Sequence, residues 1–172
     1  MPNWCQNSMT ISHPNAAKIK KAAKAWNSGK FLQTMIPCPS ELIETEASNA
    51  GDDENKAKVA ANLEKYGYAH WYDYRVAEWG TKWDVGRDPS YGDDAIVTNK
   101  SFSVGFDSAW SPPCAAYAKL KALGYTIKAY YYESGMDFCG RWDDGFDDCY
   151  DISKDGIPQD ISEEMGIEEY DE

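Results

Sequence analysis

The sequence predicts an α+β fold in a single domain, and three observations lead to this prediction. Stretches with the alternating pattern of strands are interspersed with stretches that have the spacing of helices. The chain has 172 residues, which is enough to bury a core in one domain. Its 14% aromatic and 27% charged residues are typical of a globular protein. We expect this domain over residues 1–152, with a helical insertion at about residues 40–80 and a loosely attached acidic tail over residues 153–172.

The clearest pattern is a strand–helix–strand unit over residues 101–142. Its first part alternates between apolar and polar side chains, as a half-buried strand does. Ser111 and Pro112 predict the start of a helix, with the Ser111 hydroxyl as N-cap and Pro112 in the first helical position. Gly124 is placed to end this helix in a left-handed conformation, and a second alternating stretch follows. A crossover of this kind normally joins two parallel strands of one sheet.

The first half of the chain predicts one strand and several helices. Residues 4–12 alternate between apolar and polar side chains and predict the first strand. Asn15 is a suitable N-cap for the next helix, in which apolar residues line one face and lysines the other. Residues 55–66 and 71–79 also have helical spacing, and we expect Gly80 to end the second of these helices.

The last part of the chain predicts a β-hairpin followed by acidic sequence. Asp143-Asp144-Gly145 is a turn signal, and the weak alternation over residues 146–152 predicts the returning strand. From Glu133 onward there are 15 acidic and 2 basic residues, for a net charge of −13. The preceding part has 14 acidic and 15 basic residues, for a net charge of +1.

This charge asymmetry bears on the class of partner. A general attraction to phosphate groups requires basic surfaces, so the charge argues against direct binding of nucleic acid. A partner protein with a basic surface fits the charge better. The alternative explanation is a solvated acidic tail that keeps the protein in solution. If the carboxylates contact a partner, the candidate residues are Asp143, Asp144, Asp147, Asp148, Asp151, Glu163, Glu164, Glu168 and Glu169.

A second candidate site comes from the density of aromatic residues. Three tryptophans, Trp71, Trp79 and Trp83, lie within thirteen residues, where they form either part of an aromatic core or the floor of a ligand pocket. Tyr130 and Tyr132 would form a stacking surface on an open sheet face, as in sheets that stack RNA bases. In this hypothesis the ligand-binding residues are Trp79, Lys82, Trp83, Asp84, Arg87, Trp110, Tyr130 and Tyr132.

Motifs that carry catalysis or cofactor binding are absent from the sequence. There is no nucleophile elbow, phosphate-binding loop, zinc-protease motif or dinucleotide-binding fingerprint. The five cysteines are scattered and form no C-x-x-C pair, so we expect buried thiols in a reducing compartment. The sequence therefore predicts a non-enzymatic protein without catalytic residues, cofactor or metal, and an enzyme of unrecognised type stays open. No apolar run is long enough to span a bilayer and no secretory signal is present, so we expect a cytoplasmic protein without membrane contact.

Four short motifs together resemble those of a known family. They are Pro2-Asn3-Trp4-Cys5-x-Asn7, Ile36-Pro37-x-Pro39-x-Glu41-Leu42, Trp79-Gly80-Thr81-Lys82-Trp83-Asp84 and Ala109-Trp110-Ser111-Pro112-Pro113. In this order they are similar to phage- and plasmid-borne proteins with a YubB-like ferredoxin-fold domain, over the chain up to about Asp151. The resemblance implies a ferredoxin-like sandwich, with an antiparallel or mixed sheet and helices on one face. It also implies a mobile genetic element acting in a bacterial host cytoplasm, and it provides no catalytic residues.

These observations lead to two hypotheses about function. The first is an accessory protein of a phage or plasmid that binds and inhibits a host protein, such as a defence or restriction component. In its narrower form, rows of carboxylates imitate the phosphates of DNA and occupy a basic cleft. The alternative is a small-molecule or nucleotide-binding module that uses the tryptophan and tyrosine residues.

Overall fold

The computed structural model describes residues 3–48, 52–88 and 95–167, and in these ranges it is an α+β structure with an open six-stranded sheet. The strands are β1 (Trp4–Ser12), β2 (Ile96–Val97), β3 (Ser101–Ala109), β4 (Thr126–Glu133), β5 (Phe138–Asp143) and β6 (Phe146–Asp151). Across the sheet they follow the order β2-β3-β1-β4-β5-β6, and all neighbouring strands are antiparallel.

Helices pack on both faces of this sheet. Those in the described ranges are α1 (Ala16–Asn27), α2 (Phe31–Met35), α3 (Ser40–Ile43), α4 (Asp53–Tyr66), α5 (Trp71–Trp79), α6 (Cys114–Ala122), α7 (Ile152–Asp155) and α8 (Gln159–Met165). α3, α4 and α5 fall within the predicted helical insertion. None of the described helices combines the length and apolarity that crossing a membrane requires.

The alternation in β1 determines which face of the sheet carries the main core. Alternate residues from Cys5 to Ile11 are buried, as predicted, and the side chains between them are at least partly exposed. On this face, Ile19 and Trp26 of α1 and Leu120 of α6 pack with buried side chains of β1, β3 and β4 in one hydrophobic cluster. Burial of this apolar surface is the main favourable term in folding.

Several predicted helix ends are confirmed by their local geometry. The Asn15 side chain caps α1 by accepting a hydrogen bond from the Ala17 N–H at 2.9 Å. Gly80 follows α5 with φ 82°, and Gly124 follows α6 with φ 93°, both in the left-handed region that ends helices. These ends depend on one or two residues each, which is why the sequence shows them.

The connection from β3 through α6 to β4 joins two parallel strands, as predicted, but α6 does not begin at the predicted residue. β3 and β4 run parallel, because each is antiparallel to β1, which lies between them. The predicted N-cap is wrong: α6 begins at Cys114, two residues after Pro112, and has no side-chain cap. The Ser111 hydroxyl instead donates a hydrogen bond to the Gly80 carbonyl at 2.5 Å, which links the end of α5 to the start of α6.

The segment expected to be a loosely attached tail is packed on the sheet where the structure describes it. Ile161 of α8 has no exposed surface. Asp160 pairs with Arg141 of β5 at 2.5 Å, and Glu164 accepts a hydrogen bond from the Ser8 hydroxyl of β1 at 2.8 Å. α8 therefore covers part of the sheet face opposite α1 and α6, which differs from the expectation.

Candidate functional site

The hairpin of β5 and β6 holds most of the predicted partner-binding carboxylates at one edge of the sheet. Asp144 and Gly145 form its two-residue turn with φ values of 43° and 114°, the left-handed conformation that an Asp-Gly turn signal predicts. The turn places Asp143 opposite Phe146. β6 is the last strand of the sheet in the described part of the chain, so its outer edge is available for contact.

Three acidic residues near the hairpin form ion pairs with basic residues of the same chain. Lys121 pairs with Asp144, with 3.4 Å between Nζ and Oδ2. Arg141 lies between two carboxylates, at 3.2 Å from Asp148 and 2.5 Å from Asp160. These exposed pairs contribute little to stability, but they partly neutralise the acidic surface.

Other predicted carboxylates are used as hydrogen-bond acceptors within the fold. Asp147 accepts a hydrogen bond from the Tyr131 hydroxyl at 2.7 Å, and Glu164 accepts one from Ser8 at 2.8 Å. Since side chains alternate along a strand, Asp147 and Asp148 also point to opposite faces of β6. The hairpin therefore presents its carboxylates in two directions and not in one continuous row.

The last predicted carboxylates differ in how far the fold uses them. Asp151 caps the start of α7, and Glu163 accepts a hydrogen bond from within α8. The side chain of Asp143 is exposed, and it forms neither a hydrogen bond nor an ion pair with another described residue. Glu168 and Glu169 lie outside the described residues. Asp143 is thus the predicted carboxylate that the described structure leaves most available to a partner.

The sequence did not indicate the most exposed apolar side chain near this edge, which is Phe146. Its side chain is 77% exposed at the first position of β6, beside the acidic turn. It borders an open groove of about 560 Å³ lined by Lys121, Lys128, Tyr130, Arg141, Asp143, Asp144, Phe146, Asp148 and Asp160. The weak alternation of β6 placed Phe146 on a strand but carried no information about its exposure.

Two residues of the predicted aromatic site serve the interior of the fold. Trp79 is fully buried, and its indole N–H donates a hydrogen bond to the Ile36 carbonyl at 2.8 Å. The Asp84 carboxylate accepts hydrogen bonds from the backbone N–H groups of Leu32 at 2.7 Å and Gln33 at 3.1 Å, at the start of α2. Burial raises the pKa of Asp84 above its ordinary value, and these N–H donors act in the opposite direction. Trp79 and Asp84 therefore belong to the interior of the fold, and neither serves as the floor of a ligand pocket.

The other tryptophans of the predicted site lie together on the surface. Trp83 and Trp110 are 40% and 42% exposed. The ammonium group of Lys82 lies 4.4 Å from the centre of the Trp83 ring and 5.5 Å from that of Trp110. Trp4, which is 48% exposed, places its ring 5.7 Å from Trp83. We call Trp4, Lys82, Trp83 and Trp110 the tryptophan platform.

Two hydrogen bonds hold the three segments of the tryptophan platform together. The Thr81 hydroxyl donates a buried hydrogen bond to the Ala109 carbonyl at 2.9 Å, next to Trp110. The Trp110 N–H donates to the Asn3 carbonyl at 3.0 Å, next to Trp4. Trp4 was absent from the predicted site, although the alternation of β1 placed it on the exposed side of its strand.

The remaining residues of the predicted aromatic site are dispersed. Tyr132 lies diagonally across from Trp4 on the sheet face that carries α8, because it pairs with Gln6. Tyr130 lies two residues before Tyr132 in β4, and it lines the groove beside Phe146. The backbone N–H of Arg87 donates to a carbonyl at the end of α1. The two tyrosines are partly buried, so the predicted stacking surface is narrower than an uncovered sheet would provide.

Comparisons with known proteins yield one structural likeness. No family model and no curated protein matches the sequence. A solved structure that is similar to this chain is that of the protein Api92 from Yersinia pseudotuberculosis, assigned to the family model DUF1281. The two chains share 10% sequence identity with a TM-score of 0.44, over 88% of this chain and 98% of that chain. Similarity at this level does not establish a shared family.

Proposed function

We propose that this chain is a non-enzymatic binding protein that docks on a basic surface of a partner protein through the tip of the β5–β6 hairpin. The observation that carries the proposal is Phe146, an apolar side chain that is 77% exposed among carboxylates. An aromatic side chain that is exposed among charged groups can enter a pocket of a partner, and in protein interfaces a few buried anchors surrounded by polar groups carry most of the binding energy.

The charges around Phe146 define the chemistry of the partner. Residues 138–151 contain five acidic residues and one basic residue, for a net charge of −4. A partner with an apolar pocket surrounded by lysine and arginine side chains would complement this arrangement. The apolar anchor would supply most of the affinity, and the carboxylates would speed association and select the partner.

We also propose a ferredoxin-like architecture for the larger part of the sheet. The order β4-β1-β3-β2 is antiparallel throughout. A helix-containing connection joins β1 to β2, and β3 lies between these two strands in the sheet. α6 joins β3 to β4, and β1 lies between that pair. β5 and β6 then extend the sheet beyond β4 and provide the acidic edge.

The setting that we propose is a phage or plasmid protein that acts on a host protein in the bacterial cytoplasm. The four motifs quoted above support this origin, and the acidic edge supports inhibition of a host factor that has a basic site. A defence or restriction component fits this chemistry, because such proteins use basic clefts to hold DNA. The division of carboxylates between two faces favours contact through one exposed anchor over a full imitation of a DNA backbone.

The proposal is tested by capture of a partner from bacterial lysate with the full chain and with point variants. Phe146→Ala is expected to weaken binding roughly 30-fold, which corresponds to the ~2 kcal/mol of a hot-spot residue. Asp143→Asn is expected to weaken it less, and about 1 M salt, which reduces the screening length to about 3 Å, is expected to slow association while the apolar contact of Phe146 persists. Binding constants would then be measured with the purified partner.

The matched control is Glu64→Gln, which removes one exposed carboxylate from α4, away from the hairpin. It should bind as the natural chain does. Removal of all residues after position 152 is unsuitable as a test, because it also removes the buried Ile161 and so disturbs the sheet face. Binding of the partner to Phe146→Ala that is as tight as binding to the natural chain would exclude this docking mode, and so would an association rate that 1 M salt leaves unchanged.

A further inference from the structure

The tryptophan platform is a second surface, separate from the proposed docking edge. Trp4 lies at the start of β1, whereas Asp143 is level with Thr10 of the same strand, through Lys128 of β4. Six residues of extended strand separate the two levels, which corresponds to about 20 Å. A ligand of the tryptophan platform therefore does not have to compete with a partner at the hairpin tip.

Three exposed indole rings at one place require an explanation. Trp4, Trp83 and Trp110 are each between 40% and 48% exposed, although tryptophan contributes most to stability when it is buried. They come from three distant segments that hydrogen bonds bring together. The rings of Trp4 and Trp83 are in contact, and Lys82 lies between Trp83 and Trp110. Exposed aromatic rings with a cation between them are typical of a site that stacks a flat ligand.

Lys82 gives this surface a positive charge that is not neutralised. Its ammonium group lies over the rings of Trp83 and Trp110 and forms no ion pair with a carboxylate within the described residues. By contrast, Lys65 and Lys121 are paired with Glu41 and Asp144. The Lys82 ammonium group is therefore held beside aromatic rings and free to bind an anionic group.

The backbone of the tryptophan platform is fixed before any ligand binds. Trp110 has φ 72°, a left-handed conformation that is uncommon for a bulky side chain and costs free energy. The fold maintains it through the Trp110 N–H bond to Asn3 and through the Ser108 hydroxyl, which donates to the Ser111 carbonyl at 2.7 Å. A ligand that stacks on Trp110 would thus meet a main chain already in position, which lowers the entropic cost of binding.

We propose that the tryptophan platform is a binding site for a mononucleotide. A nucleobase would stack on the exposed indole rings, and its phosphate would pair with Lys82. Aromatic stacking together with one cation is the chemistry that recognises a base and a phosphate. A single lysine in a chain of net charge −12 suits one phosphate group better than the many phosphates of a nucleic-acid strand.

The test is calorimetric titration of the full chain with AMP, with adenosine and with a six-residue deoxyadenosine oligonucleotide. AMP is expected to bind about tenfold more tightly than adenosine, because only AMP reaches Lys82 with a phosphate. In Lys82→Gln the difference in affinity between AMP and adenosine should disappear. In Trp83→Ala, AMP and adenosine should each bind at least about tenfold more weakly than they bind the natural chain. Circular dichroism and thermal unfolding confirm that each variant is folded.

Tyr72→Ala is the matched control, because Tyr72 is a 43% exposed aromatic residue on α5 outside the tryptophan platform. It should leave AMP binding unchanged. The proposal is overturned if AMP does not bind at millimolar concentration, or if the oligonucleotide binds while AMP does not. It is equally overturned if Lys82→Gln and Trp83→Ala, folded as the natural chain is, bind AMP unchanged.

Discussion

At the scale of single residues, Gly140 makes an arrangement possible that other residue types would prevent. It lies opposite Tyr131 in the β4–β5 pair, and the Tyr131 ring crosses β5 at this position to reach Asp147 on β6. A Cβ atom at position 140 would overlap with the Tyr131 ring and lie 2.5 Å from the Asp148 carbonyl oxygen. The absence of a side chain therefore permits the hydrogen bond that joins β4 to the edge strand.

Gly140→Ala is expected to destabilise the protein by about 2 kcal/mol or more, in the range of an overpacked core. Gly105→Ala is the matched control in β3, because its new Cβ would have 3.8 Å to the nearest atom, the Asn7 carbonyl oxygen. Urea unfolding measures both free energies. In a Tyr131→Ala background the cost at position 140 should fall, since the ring no longer occupies that space. Equal effects of the two glycine substitutions would show that the close approach at Gly140 does not occur in solution.

At the scale of elements, α8 depends on tertiary contacts for its existence. A helix of seven residues is too short to be stable alone in water, so its packing on the sheet decides whether it forms. Ile161 provides the apolar contact, and the bonds of Asp160 and Glu164 to the sheet fix its orientation. The acidic composition of this segment predicted a loose tail because a single buried isoleucine has little effect on composition.

Ile161→Asp is expected to detach α8 and to expose Cys139, whose side chain is fully buried on the sheet face that carries this helix. Mass spectrometry after reaction with a thiol reagent at pH 8 would measure the modification of each cysteine. Cys149 is exposed and should react in both proteins. Cys5 should stay unreactive in both, because burial raises its pKa to about 12 and keeps the thiol protonated. If Cys139 is protected equally in both proteins, α8 does not cover it.

At the scale of the whole molecule, the strand order places β1 at the centre of a sheet with two unlike edges. β1 is hydrogen-bonded on both sides, to β3 and to β4, and alternate residues along it are fully or nearly fully buried. At one edge lies the short and exposed β2, and at the other lies β6 with its carboxylates. Charged side chains on an edge strand oppose pairing with another copy of the chain, so the carboxylates of β6 protect this edge from aggregation.

The rates of amide hydrogen exchange should differ between the central strand and the two edge strands. Amide groups of β1 are expected to exchange on the order of a hundredfold more slowly than those of β2 and β6, because they open only with the whole sheet. Exchange measured by NMR on the full chain would test this. Protection of β6 equal to that of β1 would indicate that the acidic edge is covered in solution, for example by a second copy, and that it is not free for a partner.

By itself, the sequence determined the parts of this protein that depend on neighbouring residues. The alternation of β1, the Asn15 cap, the glycine ends of α5 and α6 and the Asp144-Gly145 turn were all predicted. The alternation follows from the two-residue period of a strand, and the caps and the turn depend on the conformation of one or two residues. The candidate sites were predicted only in part. Trp83, Trp110 and the hairpin carboxylates were identified, whereas Trp4 and Phe146 were not.

Only the tertiary structure decided which of these residues meet. The strand order β3-β1-β4 brings Trp4 beside Trp110, and the link between α5 and α6 takes the Ser111 hydroxyl that was predicted to cap a helix. The tertiary structure also buries Trp79 and leaves Trp83 exposed, although both residues belong to one short motif. Contacts between distant segments depend on the packing of the whole chain, and local spacing carries no information about them.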